Sequence, residues 1–285
     1  MAPEVALSRR TLLNELTETL AAAGLPEPRR EALRLWREAS GTLLAEAVVH
    51  PDEPVQGEVA AALRQASHRR AAGEPFAHVT GQAGFRRLTL GSDRRALIPR
   101  PETEGLVDLL LARVRTGAVV DVGTGTGALA LSLACEGSFT TVLATDTSAA
   151  ALSLAAENRA ATGIEVELVR GDLCSPLRAG VFDALVSNPP YLSAGEYGGL
   201  ESGVRDWEPE SALVGGVAGS EITIRLLDEA RVALRRGGWL AVEVDCNRAR
   251  ECAICAASLG WDEVVVQADL FGRDRYLLAR RGVAT

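Results

Sequence analysis

The chain has 285 residues, of which 47 % are hydrophobic and 24 % charged, and this supports one large domain or two smaller ones. No apolar run reaches the about 18 residues of a transmembrane helix, and the N-terminus lacks the apolar stretch of a secretion signal, so we expect a cytoplasmic protein with no membrane partner. All 30 basic residues are arginines, which excludes a lysine Schiff base, and the net charge of −8 argues against a nucleic-acid partner.

Residues 1–72 predict a small helical bundle. Ser8 suits the N-cap of a first helix, whose leucines at 12, 13, 16 and 20 recur at helical spacing, and Gly24 suits its end. Further helices are predicted over residues 27–39, 42–49 and 55–70. Leucines at helical spacing are more often core than function, so this segment indicates a fold and not an activity.

Residues 73–98 contain glycine, proline and alternating stretches such as Arg87-Leu88-Thr89-Leu90, and they predict a β-hairpin linker. Pro101 follows at a position that suits the first turn of a helix, where the missing N–H costs nothing. A second domain is therefore predicted over residues 99–285.

Strands and helices alternate from about residue 118 onward. Strands are expected at 118–122, 141–145, 165–169, 182–187, 239–244, 262–267 and 275–280, and helices at 127–135, 148–162, 221–235 and 247–258. The alternation predicts an α/β fold in which helices cover both faces of a mainly parallel sheet. Residues 192–219 are predicted as a long loop, of the kind that is often functional.

A glycine-rich turn follows the first of these strands and reads Gly123-Thr124-Gly125-Thr126-Gly127. Glycine lets the backbone turn tightly and approach a ligand closely, but the spacing differs from the G-x-G-x-x-G of nicotinamide-binding enzymes. Asp146 ends the next strand, where a carboxylate can hold two ribose hydroxyls. The turn and the acid together indicate an adenosine-containing cofactor.

The strand at 182–187 is followed by a rigid turn, Asn188-Pro189-Pro190-Tyr191. Two prolines cannot continue a strand, because each lacks an N–H and has a fixed φ. In open α/β sheets ligands bind at this edge. An asparagine amide, free carbonyls and an aromatic ring could hold a flat group that bears an NH2.

These motifs together resemble the class I S-adenosylmethionine-dependent methyltransferases. More narrowly, the chain is similar to the protein-glutamine N5-methyltransferases that modify peptide chain release factors, the HemK/PrmC family. Four further segments carry this resemblance along almost the whole chain, namely Gly73-Glu74-Pro75-Phe76, the segment 97–104 (Leu-Ile-Pro-Arg-Pro-Glu-Thr-Glu), the segment 207–213 (Trp-Glu-Pro-Glu-Ser-Ala-Leu) and the segment 269–275 (Asp-Leu-Phe-Gly-Arg-Asp-Arg). Two stretches, 219–223 and 243–247, differ from the family pattern.

The resemblance implies a Rossmann-like, seven-stranded methyltransferase domain that binds S-adenosyl-L-methionine, preceded by a helical domain that recognises the release factor. The turn at 123–127 would hold the methionine and ribose side of the cofactor, and Asp146 the ribose hydroxyls. Asp172 would accept a hydrogen bond from the adenine amino group, and Leu173 would pack on the adenine ring.

The same resemblance implies methyl transfer to the side-chain amide nitrogen of a glutamine. Asn188 Oδ1 and the Pro189 carbonyl would each accept one N–H of the substrate amide, which orients its lone pair toward the methyl group. Pro190 would stiffen the turn, and Tyr191 would pack against the flat amide.

Several alternatives remain open from the sequence. A ribosomal-protein glutamine methyltransferase would use the same site. A methyltransferase of adenine N6 or guanine N2 must align an exocyclic NH2 group in the same way, although it must first flip the base out of a duplex or act on a single strand. A binding protein with a degenerate site is the third alternative. Cysteines at 246, 252 and 255 invite a zinc site, but no further ligand completes it, and no metal is expected.

Overall fold

The computed structural model describes residues 7–39 and 49–283, which fall into two compact units. The first unit comprises Met1–Gly81 with Ser202–Trp207, and the second comprises Gln82–Glu201 with Glu208–Thr285. The helix predicted at 42–49 lies outside the described residues except for its last position. None of the helices within the described ranges combines the length and apolar character needed to cross a membrane.

The first unit is helical, as the leucine spacing predicts. Its helices are α1 (Arg9–Ala22), α2 (Pro28–Ala39), α3 (Gly57–Ala71) and α4 (Phe76–Thr80), and the one-turn helix Ser202–Arg205 also belongs to it. Ser8 caps α1, because its hydroxyl accepts the backbone N–H of Thr11 at 3.2 Å. The four leucines of α1 are buried and form one cluster with Leu35, Trp36 and Leu63.

The second unit begins with a β-hairpin and continues into a seven-stranded sheet. The hairpin pairs β1 (Gln82–Phe85) with β2 (Leu88–Gly91). The strands of the large sheet are β3 (Thr116–Val122), β4 (Ser138–Asp146), β5 (Glu167–Arg170), β6 (Phe182–Ser187), β9 (Leu234–Glu243), β10 (Trp261–Ala268) and β11 (Asp274–Arg281). All seven predicted strands are confirmed, although β9 begins at Leu234 and not at 239.

The strand order is β5-β4-β3-β6-β9-β11-β10, and β11 runs antiparallel to both of its neighbours while β3, β4, β5, β6 and β9 are parallel. The predicted fold class and the predicted final hairpin are thus confirmed. The chain leaves β3 toward β4 on one side and returns with β6 on the other. The carboxyl ends of β3 and β6 therefore form a topological switch point, where ligands bind in such sheets.

Helices cover both faces of the sheet. They are α5 (Glu104–Leu111), α6 (Ala128–Glu136), α7 (Ala149–Thr162), α9 (Glu221–Ala233) and α10 (Ala249–Ser258), and a short helix between them in the chain, α8 (Ala194–Gly198), lies outside this sheet. Val119 belongs to the core cluster with the α5 and α6 leucines, whereas its neighbour Val120 belongs to the cluster with α9 and α10. This alternation is what a strand buried on both faces requires.

The predicted loop at 192–219 is more ordered than expected. Two short parallel strands, β7 (Leu192–Ser193) and β8 (Val214–Gly216), pair with each other, and α8 follows β7 directly. Ser193 caps α8 with a full capping box, because its hydroxyl accepts the Glu196 N–H and the Glu196 carboxylate accepts the Ser193 N–H. The two strands have only two and three residues, and the surrounding sequence is rich in glycine, so no sequence pattern predicts this pairing.

Candidate active site

A cavity of the second unit lies at the switch point and brings most of the predicted site residues together. It is lined by the predicted residues Gly123, Thr124, Gly125, Thr126, Asp146, Asp172, Leu173, Asn188 and Pro190. Gly127, Pro189 and Tyr191 were also predicted as site residues but do not line it. Residues of the segment 95–100, together with Thr103, line it as well.

The glycine turn exposes bare backbone to this cavity. Gly123 and Gly125 have φ angles of +74° and +55°, which residues with a side chain rarely adopt. A Cβ added at Gly123 would meet nothing within 4 Å, and one at Gly125 would lie 3.7 Å from the Ala96 Cβ. Gly127 acts differently, because a Cβ there would lie 3.3 Å from Leu131 in α6 and 3.4 Å from Ala155 in α7. The lack of a side chain at Gly127 therefore leaves room for close packing between these two helices.

A buried carboxyl group supports the turn from beneath. Asp121 Oδ2 accepts the Thr124 hydroxyl at 2.6 Å and the Ala130 N–H at 3.1 Å, which joins the turn to the start of α6. Its other oxygen, Oδ1, is buried without a hydrogen-bond partner. Burial raises the pKa of Asp121 to about 7.

Asp146 is fixed with both carboxylate oxygens available to a ligand. Oδ2 accepts the Gly125 N–H at 2.9 Å, and Oδ1 accepts the Ser148 N–H at 2.8 Å. Each oxygen keeps a further lone pair, because an ionised carboxylate has about four acceptor sites. Two adjacent ribose hydroxyls could each donate to one of these lone pairs, so the residues present fit an adenosine cofactor.

The turn after β5 places Asp172 and Leu173 on the same cavity. Asp172 Oδ2 accepts a hydrogen bond from Arg225 of α9 at 2.6 Å, a partner that the sequence does not predict. Leu173 has a φ of +45°, a strained conformation for a leucine. Strained residues of this kind cluster at ligand sites.

Asn188 belongs to a chain of hydrogen bonds that runs into the core. Its Nδ2 donates to Thr103 Oγ1 at 3.0 Å, and the Thr103 hydroxyl donates to Glu243 Oε2 at 2.7 Å. The Tyr191 hydroxyl donates to the other carboxylate oxygen of Glu243 at 3.3 Å. Sequence reasoning singled out Asn188 and Tyr191 but assigned no role to Glu243.

Glu243 is almost completely buried, with 1 % of its surface exposed. Burial raises its pKa, while Thr103 and the nearby Arg275 guanidinium, 3.8 Å away, act in the opposite direction. Burial also raises the pKa of the Tyr191 hydroxyl, and the negative charge of Glu243 raises it further. Tyr191 is therefore a neutral hydrogen-bond donor to Glu243.

The turn that carries Thr103 is fixed by a close contact with the sheet. The Tyr276 hydroxyl of β11 donates to the Glu102 carbonyl. The same hydroxyl lies so near Gly105 of α5 that an added Cβ would come within 2.5 Å of it. Gly105 is thus required for the approach that holds Thr103 opposite Asn188.

Glu208 supports the segment before this turn. Its side chain is buried, and it accepts the Ile98 N–H at 3.0 Å and the Arg100 guanidinium at 2.5 Å. The sequence identifies the segments of both residues as family motifs, but only the structure shows that they form one wall of the cavity.

Arg248 holds the chain that follows the Asn188–Tyr191 turn. It donates to the Ala218 carbonyl at 2.7 Å and to Glu196 at 2.7 Å, and it approaches the Tyr191 carbonyl at 3.4 Å. Asp245, one of the residues that differ from the family pattern, pairs with Arg248 at 3.1 Å. The stretch 243–247 therefore supports, through Arg248, the loop that follows the Asn188–Tyr191 turn.

Cys246, Cys252 and Cys255 do not line this cavity. Cys252 is buried in α10, where burial raises its pKa to about 11, and Cys246 is exposed. Within residues 7–39 and 49–283, no three His, Cys, Asp or Glu side chains come together as a metal-binding group.

Comparison with known proteins agrees with this geometry. The family profile described as the methyltransferase small domain matches residues 101–198, and that of the PrmC N-terminal domain matches residues 11–81. A solved methyltransferase from Pyrococcus furiosus shares the fold, with a TM-score of 0.51 and 21 % identity over 68 % of this chain and 89 % of that one. The strand order and the glycine turn define a class I methyltransferase, an enzyme class whose cofactor is S-adenosyl-L-methionine.

Two curated relatives specify the family. The release factor glutamine methyltransferase of Deinococcus radiodurans is 40 % identical over 275 residues, which cover 95 % of this chain and 98 % of the relative. That of Nitratidesulfovibrio vulgaris is 38 % identical over 279 residues, which cover 95 % of each chain. The chain belongs to the family of release factor glutamine methyltransferases.

Proposed function

We propose that this protein transfers a methyl group from S-adenosyl-L-methionine to the side-chain amide nitrogen of a glutamine in a peptide chain release factor. The observation that carries the proposal is the commitment of Asn188 Nδ2 to Thr103, which leaves the amide oxygen of Asn188 as an acceptor beside the glycine turn. The names of the relatives supply the identity of the acceptor protein.

The cofactor would be held by residues that already fit it. Gly123 and Gly125 offer backbone without side chains, Asp146 offers two carboxylate oxygens for the ribose hydroxyls, and the Asp172-Leu173 turn faces the adenine. When bound, the cofactor supplies an electrophilic methyl group on a sulfonium, with a neutral thioether as leaving group.

The acceptor amide is a weak nucleophile, because its nitrogen lone pair is delocalised into the carbonyl. Asn188 Oδ1 and the Pro189 carbonyl would each accept one N–H of this amide and so orient the nitrogen. Positive charge that develops on the nitrogen strengthens both hydrogen bonds, so the acceptors favour the transition state over the ground state. The N-methylated amide cation that results is strongly acidic and releases one N–H proton to water, which gives the neutral product. Pro190 keeps the turn rigid, and Tyr191 offers its ring as a flat surface.

We also propose a division of labour along the chain. The helical unit, which contains Met1–Gly81, would recognise the release factor, and the second unit, which begins at Gln82, would carry out the transfer. The segment 73–98, expected from the sequence to be a linker, is divided between the two units. The net charge of −8 suits a partner with a basic surface, since complementary charge accelerates encounter.

Incubation with methyl-labelled S-adenosyl-L-methionine and three separate acceptors tests the proposal. The acceptors are an unmethylated release factor, a ribosomal protein fraction and DNA, and mass spectrometry locates the label. We expect it on the glutamine of the Gly-Gly-Gln loop of the release factor. Label confined to ribosomal protein or to DNA, or no label at all, would contradict the proposed substrate.

A further inference from the structure

We propose that Thr103 and Glu243 are positioning residues that determine which end of the Asn188 side-chain amide faces the acceptor glutamine. The inference rests on the proposed function, because it assigns a role to two residues within the same site. Neither residue is needed to contact the substrate, since both would act through Asn188.

The argument begins with the single proton of the Thr103 hydroxyl. A hydroxyl has one donor and two acceptor positions. Glu243 Oε2 lies 2.7 Å from Thr103 Oγ1, and the Arg275 guanidinium 3.8 Å from the other oxygen favours the ionised carboxylate. An ionised carboxylate can only accept, so the Thr103 proton points toward Glu243. The remaining lone pairs of Oγ1 can only accept, and the group 3.0 Å away must therefore be the NH2 of Asn188.

The surroundings of Glu243 keep this direction fixed. Its second oxygen faces two donors, the Tyr191 hydroxyl at 3.3 Å and the Arg275 guanidinium at 3.8 Å. Arg275 is itself held by Asp269 at 2.9 Å, and Glu102 is the other acidic group close enough to affect Glu243. Thr103, Tyr191 and Arg275 each direct an O–H or N–H group toward Glu243, so Glu243 acts as the acceptor at the end of the chain.

The orientation of Asn188 decides whether the site can hold an amide NH2. With Nδ2 on Thr103, Oδ1 is free to accept a substrate N–H. If the amide were reversed, its NH2 would face the NH2 of the glutamine, and two donors would oppose each other. A donor left unpaired at a desolvated site is unfavourable. The buried chain prevents this reversal.

The three residues are distant in sequence but fixed in space. Thr103 lies 85 positions before Asn188 and 140 before Glu243. Thr103 is one of few buried polar residues of its segment, at 5 % exposure, and the Tyr276 contact with Glu102 holds its turn against the sheet. A displacement of either partner would release the Asn188 amide.

Three variants of the full-length protein test the inference: Thr103→Val, Thr103→Ser and Glu243→Gln. Valine keeps the shape of threonine without the hydroxyl, whereas serine keeps the hydroxyl. Glutamine keeps the size of Glu243, but the Arg275 guanidinium favours placing its oxygen toward Arg275 and its NH2 toward Thr103. That arrangement reverses the hydrogen-bond direction along the chain and turns the Asn188 amide around.

Initial rates are measured on a purified, unmethylated release factor, and affinity for S-adenosylhomocysteine is measured by calorimetry. We expect Thr103→Val to lower kcat roughly 100-fold, as the loss of one preorganised hydrogen-bonding group does in other enzymes, and Glu243→Gln to lower it at least about tenfold. KM for the release factor and affinity for the cofactor product should change less than about threefold, because the chain acts on the reacting amide. Thr103→Ser should recover most of the lost kcat.

A matched control separates positioning from general loss of stability. Thr162→Val removes another threonine hydroxyl of the same unit, one that donates to the Asn158 carbonyl at 2.8 Å in α7. Its melting temperature reports the ordinary cost of such a change, and its kcat should stay close to that of the wild type. Equal rates for the wild type and Thr103→Val would overturn the positioning role alone. No transfer by the wild-type protein would overturn the proposed function and the positioning role with it.

Discussion

Two turns at the same edge of the sheet form the site, and they are built in different ways. The turn after β3, residues 123–127, is shaped by backbone conformation, and its anchors come from the adjoining strands β3 and β4. The Thr145 carbonyl accepts the Gly123 N–H at 2.8 Å, and the Asp146 carboxylate accepts the Gly125 N–H at 2.9 Å. The turn after β6, residues 188–191, is rigid through its prolines but is oriented by side chains from distant segments. The first turn suits the binding of the cofactor, and the second suits the precise orientation of the acceptor amide.

This difference predicts that the two turns fail in different ways when altered. Changes near the first should weaken cofactor binding, and changes to the supports of the second should slow transfer. The following predictions test that separation, beginning with the largest expected effect.

Gly105→Ala should slow transfer without weakening cofactor binding. An added Cβ would come within 2.5 Å of the Tyr276 hydroxyl, so the turn that carries Thr103 must move. A shift of about 1 Å at a catalytic site costs roughly 100-fold in rate, and we expect kcat to fall by that order. Steady-state kinetics and calorimetry with S-adenosylhomocysteine measure the two effects.

Gly84→Ala is the control for this variant, because a Cβ there meets nothing within 4 Å in strand β1. It should leave both quantities near their wild-type values. If Gly105→Ala transferred methyl groups as fast as Gly84→Ala, the support of the second turn by Tyr276 would be refuted.

The stability of the protein should fall as pH rises through the range in which Asp121 ionises. Burial raises the pKa of Asp121 to about 7, while in the unfolded chain it is near 3.9. Between these values the native state binds the additional proton, so the free energy of unfolding decreases with pH from about 4 to about 7 and is constant above. We expect a loss on the order of 1–2 kcal/mol between pH 5 and pH 7.

Denaturant unfolding of the wild type and of Asp121→Asn at several pH values measures this slope. Asparagine keeps an oxygen for Thr124 and Ala130 but does not titrate, so its slope should be shallower than that of the wild type. Parallel slopes for the two proteins would show that Asp121 does not govern the pH dependence.

Gly123→Ala should weaken cofactor binding about tenfold, which corresponds to about 1.4 kcal/mol. Its φ of +74° strains any residue with a Cβ, and the added atom would project from the turn that the cofactor approaches. Calorimetric titration with S-adenosylhomocysteine gives the change in affinity.

Gly163→Ala supplies the matched comparison, since Gly163 has a similar φ of +68° and also has no neighbour within 4 Å, but it ends α7. Both variants should lose about 1–2 kcal/mol of stability through backbone strain. Equal losses of cofactor affinity in the two would show that strain, and not close approach of the backbone, explains the effect.

The same comparison explains how much could be predicted from the sequence. The glycine turn is local: strand, turn, helix and Asp146 follow one another within residues 116–146, so their pattern is visible in the chain. The seven strands of the sheet were predictable for the same reason, because apolar runs between turn residues are local signals. Asn188 was identified from the two prolines that follow it.

The supports of the second turn could not be predicted, since they depend on tertiary contacts. Glu243 lies 52 positions from Tyr191, and Tyr276 lies 174 from Glu102. Thr103 stands in a segment that matches the family, but no local signal shows that its hydroxyl faces Asn188. The pairing of β7 with β8 and the bond from Arg225 to Asp172 were missed for the same physical reason.

The most direct test of the separation between the two turns is to measure kcat and the dissociation constant of S-adenosylhomocysteine for Asn188→Ala and Asp146→Ala. We predict that Asn188→Ala lowers kcat on an unmethylated release factor by roughly 100-fold or more while its dissociation constant stays within about threefold of the wild type. Asp146→Ala should instead raise the dissociation constant by roughly 100-fold, since it loses acceptors for two hydroxyls. Near-normal transfer by Asn188→Ala, or unchanged affinity in Asp146→Ala, would contradict the account.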